Sequence, residues 1–145
     1  MAEYLSSTPV SKGVKIVSWV ISILPVLLLL MSATFKFIQP GQEFADGLTH
    51  LGWSADAMYK LGFVEIACAI IYLIPRTSIL GAILVTAYLG GAVATHVRVG
   101  DPFYTPIIVA VFIWLGLWLR DPRVKALIPV RKKWNPFFLG QSFRK

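Results

Sequence analysis

Four apolar runs dominate this chain. The longest, residues 16–38, contains a single charged side chain, Lys36. A helix rises about 1.5 Å per residue, so a run of this length reaches across the ~30 Å hydrocarbon core of a bilayer. Further runs follow at residues 57–74, 79–97 and 103–119. Charged residues are only 14% of the 145 and hydrophobic residues 57%, where a soluble domain carries roughly 25% charge. One domain of this size has too little interior to hide so much apolar surface. The bilayer is therefore its expected solvent, and the expected fold is all-α: an antiparallel four-helix transmembrane bundle.

The segments between the runs refine this picture. Residues 1–13 are polar, carry Pro9, and read as a cytoplasmic N-terminal arm. The first run is too long for the apolar core of a cleaved signal peptide and lacks its small-residue pattern. Pro25 lies inside it and is expected to kink the helix, while Pro40 and Gly41 end it. In residues 42–52, Phe44, Leu48 and Leu51 recur at helical spacing while Glu43, Asp46 and Thr49 point elsewhere. This predicts a short amphipathic helix at the membrane surface. Ser54 is the expected N-cap of the second span, and Pro75-Arg76 stops it. Gly100-Asp101-Pro102 reads as a tight turn, with Asp101 as N-cap and Pro102 at the first helical position. The domain division is thus an arm (1–13), a four-helix membrane domain (14–121) and a basic cytoplasmic tail (122–145).

Orientation follows from the basic residues. Of the 14 Lys and Arg, only Lys36, Lys60 and Arg98 fall on the side opposite the termini. Cytoplasmic segments carry the excess of Lys and Arg, so both termini are expected inside, in a multi-pass protein of the plasma (inner) membrane. The net charge of +7 thus belongs to topology and anionic headgroups. Nucleic acid is not an expected partner, because no nucleic-acid-reading motif is present. The lipid bilayer and other membrane or peripheral subunits are.

Ionisable groups inside a span cost roughly 2.5–3.5 kcal/mol each on insertion scales, so they need partners or a purpose. Glu65 lies about two turns into the second span, Lys36 near the outer end of the first, and His96 near the outer end of the third. Each Cα–Cβ bond tilts toward its own helix N-terminus. Lys36 and His96 therefore lean into the membrane and Glu65 leans outward, toward one depth where Tyr59, Tyr88, Thr34 and Thr95 are further candidates. Gly62, Glu65, Ala69 and Tyr72 share one stripe, and Tyr88, Ala92 and His96 another. Gly62, Gly81, Gly90, Gly91 and Ala94 are expected to let helices approach closely. The cluster is read as a ligand-binding or proton-handling site, or as a structural ion pair fixing helix register.

Cys68 is the only cysteine, which excludes an internal disulfide, a dithiol motif and a thiolate-held iron–sulfur cluster. His50, His96 and Glu65 lack metal-ligand spacing, so no metal is expected. The residues themselves require no cofactor.

The stretches Gly62-Phe63-Val64-Glu65, Leu73-Ile74-Pro75-Arg76-Thr77, Gly90-Gly91-Ala92 and Thr95-His96-Val97-Arg98-Val99-Gly100-Asp101-Pro102 together resemble the DoxX-like family over about residues 14–120. Lys36 matches a lysine that the family places near the end of its first helix, whereas Ala33 and Thr34 stand where a glycine is more usual. The resemblance implies a small bacterial four-helix membrane protein. The family name comes from a subunit of a thiosulfate:quinone oxidoreductase, so a quinone is the small molecule the resemblance implies. The chain is accordingly expected to be a subunit of a redox-associated complex with an outward-facing polar pocket, and no complete enzyme by itself. The alternatives are a non-enzymatic accessory or assembly subunit and a proton-coupled exporter.

Overall fold

A computed structural model describes residues 11–127; residues 1–10 of the polar arm and residues 128–145 of the tail, with the Arg131-Lys132-Lys133 cluster, lie outside them. The described residues are helical almost throughout and contain no strand. Six helices follow in order: α1 (Lys12–Ile38), α2 (Gly41–Leu51), α3 (Ala55–Leu73), α4 (Ser78–Val99), α5 (Tyr104–Arg120) and α6 (Pro122–Leu127). Helices α1 and α4 are long and apolar enough to cross a membrane. Helix α5 is apolar but shorter, and α3 is interrupted by Asp56, Lys60 and Glu65.

The four longer helices pack in a closed cycle, α1 against α3 and α5, and α4 against α3 and α5. At one end the start of α1 meets the ends of α3 and α5. There the fully buried Tyr72 hydroxyl donates to the Ile113 carbonyl and lies 2.9 Å from Ser22 Oγ. Val85, Ile113 and Leu117 complete this end of the core. Glycine sets the spacing. A Cβ on Gly81 would overlap the Tyr72 backbone, and one on Gly116 would overlap the Ser22 side chain. At the other end, Arg98 of α4 donates to the Leu51 carbonyl, capping the negative C-terminus of α2.

The surface is inverted relative to a soluble protein. Val20, Leu27, Phe63, Ile70, Ile83 and Val111 are each about half exposed or more, while Ser18, Ser22, Glu65 and Ser78 are buried. A continuous apolar exterior of this kind needs lipid around it.

Several expectations shift. Helix α1 begins at Lys12, inside the anticipated arm, because Ser11 caps it by accepting from Val14 N at 3.4 Å. It runs through the buried Pro25 as one helix. Ser54 caps α3 as expected, but Asp101 does not cap α5. That helix starts at Tyr104 after Phe103, with no side-chain cap, and the Asp101 carboxylate instead turns toward His50. Gly90 and Gly91 have open space where a Cβ would go, so they create room and not a close helix contact. The tail opens with α6. Asp121 accepts from both the backbone N–H and the guanidinium of Arg123, which holds its carboxyl below the usual carboxylate range, against the opposing effect of burial.

Two tests follow from this packing. Gly81→Ala is expected to lower stability by about 1–3 kcal/mol through overpacking, and Gly90→Ala by less than about 0.5 kcal/mol, as read from thermal unfolding in detergent. The depressed Asp121 pKa means that its ion pair stabilises fully above the unfolded carboxylate range near about 4 and is lost as pH falls through the lower folded value. Asp121→Asn should therefore lower stability at neutral pH and flatten the acid limb of the stability profile.

Candidate functional site

Lys36 reaches from the last turn of α1 to α3, where its Nζ lies 2.8 Å from Glu65 Oε2. It also donates to Ser32 Oγ, one turn earlier on α1, at 2.6 Å. Glu65 is only 2% exposed and Lys36 16%. A carboxylate this deep survives as an ion only with a close, well-aligned cation. Gly62, one turn before Glu65, lets the Phe37 ring close over α3, which brings the end of α1 near enough for the pair to form.

The pair borders a cavity of about 570 Å³ between the helices, within the range of small-molecule sites. Leu28, Leu29 and Met31 of α1, Met58 and Leu61 of α3, Leu89 of α4 and Val109 of α5 supply apolar wall. Tyr88, Thr95 and His96 line it from α4, Thr105 from α5, and Leu51 and Trp53 from the α2 side. The Tyr88 ring stands 5.9 Å from Lys36 Nζ, close enough for a weak cation–π contribution.

The three ionisable groups singled out in the sequence thus border one cavity, but they do not form one hydrogen-bonded cluster. His96 points its Nδ1 toward Asp101 Oδ2, 3.7 Å away, and that nitrogen is buried without a hydrogen-bond partner among the described residues. Asp101 Oδ1 lies 3.1 Å from His50 Nε2. Thr95 lines the cavity but gives its hydroxyl to the Gly91 carbonyl. Tyr59 stands outside, 42% exposed, with its ring 6.2 Å from that of Phe37. Thr34 is exposed and bonded to the Leu30 carbonyl. Sequence reasoning passed over Ser32, although its place one turn before Lys36 could have revealed it. It also took Asp101 for a cap, when its carboxylate instead faces His50 at hydrogen-bond distance and His96 at 3.7 Å. Among the described residues no group of three His, Cys, Asp or Glu side chains is placed to hold a metal ion.

The site can hold a small, largely apolar molecule with one polar end. Lys36 has three N–H donors and uses two of them on Ser32 and Glu65. The opposite charges of the pair cancel, so the chamber favours an uncharged occupant.

Removing one partner should expose the strength of the pair. Lys36→Met leaves a buried carboxylate uncompensated and is expected to cost about 3–5 kcal/mol, with most of that loss recovered in the Lys36→Met, Glu65→Gln double variant. Thermal unfolding of the four proteins forms the cycle, and equal melting of both single variants with the parent would contradict it.

The family model described as the DoxX-like family matches residues 20–118. No curated protein and no solved structure matches the chain. An exterior made for lipid, an ion pair buried between α1 and α3, and a family match over most of the chain agree: this small membrane protein belongs to the DoxX-like family.

Proposed function

We propose that the chain is an antiparallel four-helix transmembrane bundle, with both termini on the cytoplasmic side of a bacterial inner membrane, serving a redox-associated complex. Its role is to hold a quinone headgroup, or a small molecule of similar polarity, in the outward-facing cavity beside Lys36 and Glu65. The arm (1–13), membrane domain (14–121) and basic tail (122–145) keep their proposed roles, though α1 starts at Lys12. Alternation of helix direction is supported by the contacts at the two ends: Tyr72 near the end of α3 with Ser22 early in α1, and Arg98 late in α4 with Leu51 before α3.

One observation carries the binding reading. A chamber of about 570 Å³ with mostly apolar walls contains an ammonium with an N–H to spare and a carboxylate that neutralises it. A quinone pairs carbonyl acceptors with an apolar ring and tail, which suits such a chamber. Lys36 would donate to the carbonyl, Tyr88 and His96 would border the ring, and Thr95 and Tyr59 would have secondary roles at most. The redox association itself rests on the family.

A second reading is favoured by the same pair viewed alone. With Glu65 2% exposed and held at 2.8 Å, Lys36–Glu65 suits a register-fixing element in a non-enzymatic assembly subunit.

Binding separates the two. Decylubiquinone titrated into the purified protein in lipid nanodiscs should bind saturably. Gly91→Phe, which places a ring in the open space beside Gly91 on the cavity wall, should weaken it at least about tenfold, a loss of about 1.4 kcal/mol. Affinity untouched by that variant would overturn the cavity reading. Absence of saturable binding, with complexes maintained in the Lys36→Met, Glu65→Gln protein, would support the assembly role.

A further inference from the structure

Three ionisable side chains line the cavity, and two of them, Lys36 and Glu65, satisfy each other. The third is His96, in the last turn of α4. Its Nδ1 is buried and makes no hydrogen bond among the described residues. That nitrogen faces Asp101 Oδ2, 3.7 Å away. The side chain is nevertheless 33% exposed, so the open part of the ring lies on its other side, where Nε2 is.

A neutral imidazole has one N–H and one lone pair, and its surroundings decide which nitrogen holds the proton. A lone pair on Nδ1 would point at a carboxylate and be repelled, whereas an N–H there is attracted. The same rule governs His50 from the opposite side. Its Nε2 lies 3.1 and 3.2 Å from the two Asp101 oxygens, and an ionised carboxylate only accepts. Both histidines therefore turn an N–H toward Asp101 while uncharged. No Lys or Arg among the described residues pairs with this carboxylate; the neighbouring Arg98 donates instead to the Leu51 carbonyl.

With the proton on Nδ1, Nε2 is left as a lone-pair acceptor. The two nitrogens diverge across the ring, so Nε2 is directed away from the turn that carries Asp101. The cavity wall then offers one group of each kind. Lys36 is the donor, with an N–H beyond its bonds to Ser32 and Glu65, and His96 is the acceptor. A carbonyl oxygen brought against Nε2 would set two lone pairs together. A hydroxyl would donate to it. A site with an acceptor to satisfy discriminates against an analogue that lacks the hydrogen.

We propose that Asp101 is a positioning residue that holds His96 as its Nδ1–H tautomer, and that His96 Nε2 selects a hydroxyl-bearing occupant for the cavity. Among quinones this means that the reduced, hydroquinone form is preferred to the oxidised one. Lys36 serves either form, because carbonyl and hydroxyl oxygens both accept. Only the hydroxyl can also donate to His96. One such hydrogen bond is worth about three- to tenfold in affinity. The hydroxyl preference rests on the cavity being the binding site proposed above; the tautomer does not.

Two measurements test this on the full chain in lipid nanodiscs at about pH 8.5, where an ordinary imidazole is neutral. The first is nitrogen NMR of protein with isotope-labelled histidine and no ligand. The chain has two histidines, and His50→Gln identifies the signals of His96. Its Nδ1 should resonate as a protonated nitrogen and its Nε2 as a bare one, and Asp101→Asn should move part of the proton to Nε2. A proton on Nε2 in the parent, or a tautomer unmoved by Asp101→Asn, overturns the role of Asp101. The second is anaerobic titration with decylubiquinol and with decylubiquinone. The quinol should bind about three- to tenfold more tightly, and His96→Leu or Asp101→Asn should bring the ratio close to one. Equal affinities in the parent, or a preference that persists in His96→Leu, overturn the selection. Saturable binding of neither form removes the cavity reading and the selection with it, while the ligand-free spectra still decide the tautomer.

Discussion

A carboxylate that is 2% exposed in an apolar bundle needs a cation against it, and the arrangement of α1 and α3 follows from meeting that need. Lys36 must come within 2.8 Å of Glu65, which fixes the rotation of both helices. It also requires the end of α1 to close over the first half of α3, and Gly62 makes that possible by leaving room for the Phe37 ring. Once α1 and α3 are locked by charge, α5 fits against α1 where Gly116 lacks a side chain, and α4 fits against α3 at Gly81. The ion pair, with Gly62 beside it, and the close contacts at Gly81 and Gly116 thus work at opposite ends of the bundle. One specifies register, and the other permits contact.

This division explains why one end of the protein is solid and the other hollow. Around Tyr72 the helices approach closely enough for a hydroxyl on α3 to reach a serine on α1 and a carbonyl on α5. Toward the Lys36 end, Gly91 faces open space on the chamber wall, Glu65 and Lys36 occupy each other, and a chamber remains. The hollow is a consequence of where bulk is withheld, and the polar groups around it are the ones least able to face lipid.

Much of this could be read in the sequence because it depends on quantities that a one-dimensional pattern carries. Run length and hydropathy pointed to the helices, the spacing of Phe44, Leu48 and Leu51 gave the amphipathic α2, and the tilt of Cα–Cβ bonds placed Lys36 and Glu65 at one depth. Contacts that depend on helix rotation or on a particular turn did not show. Asp101 followed by Pro102 has the composition of a helix start, yet α5 begins at Tyr104, because the carboxylate has histidines from α2 and α4 to face. Gly90 and Gly91 looked like contact residues because small side chains permit both contact and vacancy, and only the neighbours decide which.

The two polar features at the Lys36 end of the bundle differ in what solvent does to them. Lys36–Glu65 is shielded from water, so salt screens it little and it suits a fixed scaffold. His50, Asp101 and His96 are partly exposed, at 55%, 32% and 33% of their side chains, so their attraction is screened by solvent. A buried pair helps to give a chamber its shape, whereas a half-exposed one contributes little to it. The sequence separates them by placement: the pair sits on α1 and α3 inside the bundle, while Asp101 sits in the turn before α5 and His50 on α2, of which only Leu48 is buried.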